Sequence, residues 1–496
     1  MSFKLKNILG TTLILGMMIH PVVCYSASKE MYFLGGGGEP FGDTTIFDYN
    51  VKRVGNFAKK SDWKTSVSFN GGHKTTETII KSDMGKSRDL GPFTRENYDK
   101  ALAEMIAKIE SGELKAGDQL LVNIDTHGAE RTKDDKTHKI AFSDSTANDL
   151  VTLAGAQTSN LDGLEKLAQV ASEKGVKLAI IDLSCFSGNL LNIDSEKTCM
   201  ISATGKNQFG YEGTNDFIFF DRPTSFSGNF LKSMKKGKNL EEIFLKARAE
   251  SPDPDFPMIS TNEGKAINDH IYNMISSYLN YDDDSSNLFS RDYELQPDIF
   301  SKQQCSGEQN FQKLSTLLKQ YENMMAVSDK TQAQEFLKLR KALEKYRDYQ
   351  VDLEQVLGKV FEVSAEVDKI LKDNFSGDEE LWKHYRGAVL VNANFEPALK
   401  FNELMVEHSS NSQKENWEKS LKNLKRLIEI SKSVKGQLSE ESNLKLKRIS
   451  ESMANSKVVT KKLAEDVAIE TRQVYDRLYK MQKNKYKENP CRDFVL

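Results

Sequence analysis

At 496 residues the chain is too long for one ordinary core and is expected to divide into two or three domains. Hydrophobic residues make up 38% and charged residues 28%, the balance of a soluble globular protein. A formal net charge of -3, with no strongly basic domain, argues against a dedicated nucleic-acid binder.

The chain opens with Lys4 and Lys6, then a mostly apolar run from Ile8 to Ile19 that is too short to span a membrane. Small residues follow at Ser26, Ala27 and Ser28. This reads as a signal peptide over residues 1–28 and predicts export, to a periplasm or as a secreted protein. Cys24 follows Val22 and Val23, where a lipoprotein site wants small residues. No later stretch is long and apolar enough to predict a membrane span.

Residues 29–280 alternate short apolar runs with amphipathic stretches. Strands are predicted at Met31–Leu34, Ser66–Asn70, Gln119–Asp125, Lys177–Leu183 and Thr198–Ala203. Helices are predicted at 45–60, 96–110 and 161–174 from apolar residues at helical spacing. Strands alternating with helices imply an α/β domain with a doubly wound, mostly parallel sheet. Residues 281–306, opening with Asp282-Asp283-Asp284-Ser285-Ser286, read as a polar linker, the acidic triplet as a solvated turn.

From 307 to 496 the chain is expected to be all α, a helical bundle or coiled coil. Phe336, Leu339, Leu343, Tyr346, Leu353, Leu357, Val360, Val367 and Leu371 recur in steps of three and four. Shorter helices are expected near 309–327, 379–407, 413–434 and 440–488, with Pro397 kinking or ending the second.

Two places carry chemistry. The third strand runs into Thr126-His127-Gly128, and the fourth into Ser184-Cys185-Phe186-Ser187-Gly188. In an open parallel sheet the carboxyl ends of strands share one edge, so His127 and Cys185 are expected to meet there. A thiolate is the effective nucleophile, and a neighbouring imidazole can take its proton and later protonate a leaving amine. The N–H groups of Gly128 and Cys185 are the oxyanion-hole candidates. His73, after another strand, reads first as a turn residue. Gly35–Gly38 lacks a phosphate-loop pattern and reads as a cleft turn. Ser187 lacks an elbow motif, Cys199 reads as core, and the histidines lack metal-ligand spacing, so neither metal nor cofactor is expected.

Strand–His-Gly, helix, strand–Cys-x-Ser-Gly resembles the clan of caspases, metacaspases, legumains and clostripain over residues 30–275. The resemblance implies a caspase-like fold and endopeptidase activity through His127 and Cys185 on protein or peptide substrates. Many of these relatives place an acidic residue two positions before the cysteine; here Asp182 lies three before. Relatives that cut after Arg or Lys use carboxylates in the first pocket, so Glu39, Asp43, Glu212, Asp216 and Asp221 are candidates for a pocket favouring a basic residue; Arg222 is the one basic residue close by. Two alternatives share these motifs: an inactive caspase-like interaction protein displaying a helical module, and a transamidase in which an amine replaces water.

Two expectations concern the helical half. Cys305 and Cys491 bracket it and are a candidate disulfide, against free thiols or a pairing with Cys199. In legumain-like relatives a C-terminal helical segment covers the cleft. Here the helical half is expected either to contact and restrain the peptidase half, or to dock a partner or tether the enzyme to a surface.

Overall fold

The computed structural model describes residues 27–496 except 40–45, 71, 146, 148–152, 154, 209, 211–224, 252–255, 262–263, 265–274, 276–277, 279–296, 329, 360, 385–395, 409–410 and 483–487. The expected signal peptide, apart from its last two residues, lies outside the described residues. So do Asp43, Glu212, Asp216, Asp221 and the acidic turn at 282–286.

The first half is built on a seven-stranded sheet. Its strands are β1 (Lys29–Gly35), β2 (Lys64–Phe69), β3 (Arg88–Asp89), β4 (Gln119–Asp125), β8 (Lys177–Asp182), β9 (Cys199–Ser202) and β10 (Met258–Ile259). The order is β10-β9-β8-β4-β1-β2-β3, parallel throughout except for β10 against β9. β5 (Gly128–Ala129), β6 (Lys139–Ala141) and β7 (Thr158–Asn160) form a small antiparallel sheet. All five predicted strands are present.

Both sheet faces are covered, which is why the central strands are apolar at consecutive positions. Met31, Phe33, Leu121, Ala179 and Ile181 pack with α1 (Asp48–Lys60), α5 (Phe226–Ser233) and α6 (Leu240–Glu250). On the other face, Tyr32, Leu34, Leu120, Val122, Leu178 and Ile180 pack with α3 (Arg95–Glu110) and α4 (Leu164–Lys174). Each such aliphatic side chain, fully buried, contributes about 1.5–3 kcal/mol before the ordering entropy is charged against it. Local signals set the ends. Thr94 Oγ accepts a hydrogen bond from the Asn97 N–H at the start of α3, and Gly175, with φ of 73°, closes α4 in the left-handed conformation. A helix α2 (Lys74–Asp83) lies between β2 and β3. His73 caps its start, where its N–H donates to Asn70 Oδ1 at 3.2 Å, so it is a turn residue.

From β1 the chain moves to β2 on one side, then to β4 on the other. The strand order therefore reverses between β1 and β4, and open sheets of this kind bind ligands outside the carboxyl ends of the strands at such a point.

The second half is helical: α7 (Pro297–Ser328), α8 (Lys330–Gly358), α9 (Phe361–Asn374), α10 (Glu379–His384), α11 (Glu396–His408), α12 (Asn411–Gln437) and α13 (Glu440–Gln482). Three expectations need correction. The first helix starts at Pro297, inside the expected linker, because a proline is well suited to a first turn, whose N–H has no partner anyway. For the same reason Pro397 sits in the first turn of α11, as its second residue, instead of kinking or ending a helix. The expected heptad seam is not one seam. It breaks after Gly358; Phe336, Leu339, Leu343 and Tyr346 join the core that continues from the sheet, whereas Val367 and Leu371 bury in a separate cluster with Leu427, Ile430 and Val434.

The halves share one hydrophobic cluster. Ile275 and Tyr278 pack with Leu314, Leu318, Tyr346, Val467, Tyr475 and Tyr479, and the Tyr278 hydroxyl donates to Gln350 Oε1 at 2.9 Å. That partner explains a polar residue inside the apolar spacing of α8. The fully buried Arg248 of α6 pairs with Asp476 and lies over the Tyr475 ring at 3.8 Å from its centroid.

The C-terminal segment is stitched to the α/β half. Leu240 N–H donates to the Phe494 carbonyl at 3.1 Å, and Leu496 N–H donates to the Lys238 carbonyl at 2.9 Å. Phe494 stacks on Trp63, and the carboxylate of Glu241, 1% exposed, accepts from Tyr479, Asn489 and Arg492. Cys491 is disulfide-bonded to Cys199, not to Cys305. Cys199 begins β9, and the docked segment carries Cys491 to that strand end. Trp63 precedes β2, and Lys177, whose Nζ donates to the Asp493 carbonyl, begins β8. These contacts gather at the amino-terminal edge of the parallel strands, opposite the carboxyl edge where His127 and Cys185 lie. Among the described residues, no helix is long and apolar enough to cross a membrane.

Candidate active site

Three chain segments converge at the carboxyl edge. The loop leaving β1 carries Gly36–Glu39, the loop leaving β4 carries Thr126–Gly128, and the turn after β8 carries Ser184–Cys185. Thr126 Oγ ties the first two together: it accepts from the Gly37 N–H at 2.9 Å and donates to the Ala141 carbonyl at 2.9 Å.

Gly128 brings the second and third together. A Cβ at this position would lie 2.3 Å from the Cys185 carbonyl oxygen and 3.1 Å from the Cys185 nitrogen. Only a glycine lets these main chains touch. The peptides bearing the two expected oxyanion donors thus lie side by side.

The next residue, Phe186, has φ of 61° and ψ of 14°, a left-handed conformation uncommon for a bulky side chain. Its ring is buried, its N–H donates to the Gln208 carbonyl at 2.7 Å, and a short 3₁₀ helix, Ser187–Asn192, follows. The turn directs Cys185 to a half-buried position where the Gly210 N–H donates to Sγ at 3.2 Å. A donor on sulfur favours the thiolate over the thiol. Ser187 is buried and takes hydrogen bonds from the N–H groups of Ala203 and Thr204, so it braces the turn.

His127 is 11% exposed at its side chain, its ring edge-on to Phe47. Its Nε2 lies 2.8 Å from Glu39 Oε1. Glu39, expected in a substrate pocket, thereby lies on the histidine. With Nε2–H donating to the carboxylate, Nδ1 is the ring nitrogen left to exchange a proton.

Beneath the site lie buried polar groups that the motif reading did not assign. His138 is fully buried, with Nε2 2.7 Å from Ser184 Oγ and 3.2 Å from Asp182 Oδ2. Asp125, the last residue of β4, is fully buried as well. Burial pushes its carboxyl up to about 7; Asn50 and Arg53 pull it down, and the nearby Asp182 pushes it further up. A raised carboxyl pKa means that the folded chain holds a proton the unfolded chain has released. The resulting stability is complete below pH 4 and is lost as pH rises through about 7. Asp125→Asn is expected to remove that dependence and to leave the variant more stable than the parent at pH 8, by about 2–4 kcal/mol. Denaturant midpoints at pH 5 and pH 8 check this; an equal loss in parent and variant would refute it.

Among the described residues, no group of three or more His, Cys, Asp or Glu side chains is placed to hold a metal ion. No family model matches the chain, and no curated protein matches it.

Proposed function

We propose that the protein is an exported cysteine endopeptidase of the caspase, legumain and clostripain kind, with Cys185 as nucleophile and His127 as general base and acid. The observation that carries the reading is the packing of the Gly128 main chain against Cys185 at the carboxyl edge of a parallel sheet. The mostly parallel sheet, with its strand order reversing between β1 and β4, supports the reading, and the disulfide fits an oxidising compartment.

In the proposed reaction, His127 Nδ1 takes the thiol proton and Sγ attacks the scissile carbonyl carbon. The tetrahedral oxyanion points at the N–H groups of Gly128 and Cys185. Collapse breaks the C–N bond, the imidazolium protonates the leaving amine, and an acyl-thioester remains on Cys185. Water, deprotonated by His127, attacks the thioester, and the carboxylic acid leaves as the thiolate reforms. Glu39 holds the ring orientation and stabilises the imidazolium. The preference for a basic residue before the cut rests on Asp43, Glu212, Asp216 and Asp221, which lie outside the described residues.

The direct test is a peptide carrying a thiol-reactive electrophile, with the adduct mapped by mass spectrometry. The label is expected on Cys185; a parent chain that takes no label there refutes the reading. Glu39→Ala is expected to lower kcat about 10–100-fold with little change in KM, since it loosens the ring without touching substrate. Unchanged kcat would leave Glu39 without that role.

A further inference from the structure

His127 and Cys185 leave different strands, so their relative position depends on what joins the two loops. Gly128 begins β5, β5 pairs with β6, and His138 directly precedes β6. On its other side Thr137 is fixed, its hydroxyl donating to Asp162 Oδ1 at 2.8 Å and accepting from the Leu161 N–H at 2.7 Å. His138 therefore sits on a rigid hairpin that is continuous with the His127 loop.

Its ring reaches the other loop. Ser184 donates both its N–H, at 3.0 Å, and its O–H, at 2.6 Å, to Asp182 Oδ1. With its proton directed at Asp182, Ser184 Oγ accepts from His138, so Nε2 carries the ring proton. Asp182 Oδ2 faces the same nitrogen at 3.2 Å. Ser, His and Asp at hydrogen-bonding distance suggest a second nucleophile, but the geometry denies it. The ring nitrogen that faces Asp182 is the one already bonded to Ser184, the hydroxyl proton points at the carboxylate, and His138, Asp182 and Ser184 are 0%, 0% and 1% exposed.

The Cys185 N–H belongs to the planar peptide that leaves Ser184, so holding Ser184 in place restrains where that peptide starts. Burying an imidazole, a carboxylate and a hydroxyl together is unfavourable unless they bond to one another; here Ser184 bonds to both His138 and Asp182, while His138 Nδ1 and Asp182 Oδ2 have no hydrogen-bond partner among the described residues. The three groups span the gap between the two halves of the site.

We propose that His138 is a positioning residue, which through Ser184 and Asp182 locks the Cys185 turn onto the His127 hairpin and aims the Cys185 N–H at the oxyanion. The assignment rests on the peptidase reading above. It predicts an effect on turnover separate from any effect on folding, because substrate never touches His138.

The test uses the full chain and a fluorogenic peptide pool with Arg, Lys, Asp or Asn before the cut. His138→Leu removes the donor; His138→Gln keeps an amide N–H near the position of Nε2. In the folded His138→Leu protein kcat is expected to fall on the order of 10²-fold with KM within about threefold, and His138→Gln is expected to recover most of the loss. Ser184→Ala, a smaller change that removes the bridging oxygen, is expected to lower kcat about tenfold, and it carries the test if His138→Leu does not fold. Parental kcat in the folded variants, whatever their melting temperatures, overturns the proposal alone. A parent chain that cuts no peptide and takes no label on Cys185 overturns the peptidase reading, and this proposal with it.

Discussion

Cys185→Ala is expected to lower kcat by about five to six orders of magnitude while leaving the melting temperature nearly unchanged. The side chain is half-buried and lost volume is small, so folding loses little. Chemistry loses the covalent route entirely. His127→Ala is expected to cost nearly as much, because an unassisted thiol is mostly protonated at neutral pH and the leaving amine lacks its proton. The informative variant is the double one. Residues that act as a unit are grossly non-additive, so Cys185→Ala with His127→Ala is expected to be no slower than Cys185→Ala alone. Steady-state kinetics on the peptide pool measure all three. Turnover in Cys185→Ala near the parental rate would end the dyad assignment.

The second large effect concerns stability. Replacing Cys199 and Cys491 by Ser is expected to destabilise the chain by about 3–5 kcal/mol, since the bridge closes a very long loop and the chain-entropy contribution grows with loop length. Their sequence separation is 292 residues. Both cysteines are fully buried, so two new hydroxyls in the core add to the loss. Guanidinium unfolding with and without reductant checks the expectation; identical midpoints for parent and double variant would contradict it. Cys305→Ser, outside this bond, is expected to leave the midpoint in place.

What was legible in the sequence follows from the physics of local patterns. The strands of the main sheet announce themselves because a strand covered on both faces must be apolar at successive positions, as at Leu120–Ile124. The placement of His127 and Cys185 was legible because parallel strands end at a common edge. The pairing of Glu39 with His127 was not legible, because a carboxylate in a loop carries no local sign of its partner, which here stands 88 residues away. His138 was overlooked for a related reason. The hairpin that holds it has strands of two and three residues, too short for alternation to register. The disulfide was misassigned because Cys199 reads as an ordinary core residue of a strand, and nothing local says that the C-terminal segment returns to the start of that strand. The break in the heptad pattern at Gly358 was invisible to periodicity, which continues in phase while the helices part into different clusters.

The bond between Cys199 and Cys491 makes most of the chain a covalent ring, with β10 and every C-terminal helix strung along it. One cut anywhere on that ring opens it without releasing a fragment. A processing enzyme that nicked the chain between the sheet and the helices would produce a two-chain molecule of unchanged mass but for added water, migrating as one band until reduced. Shedding the helical half would take two events, a cut and a reduction, and the second is disfavoured in an oxidising compartment. The helices are therefore retained as permanent companions of the α/β half, anchored at the edge farthest from Cys185.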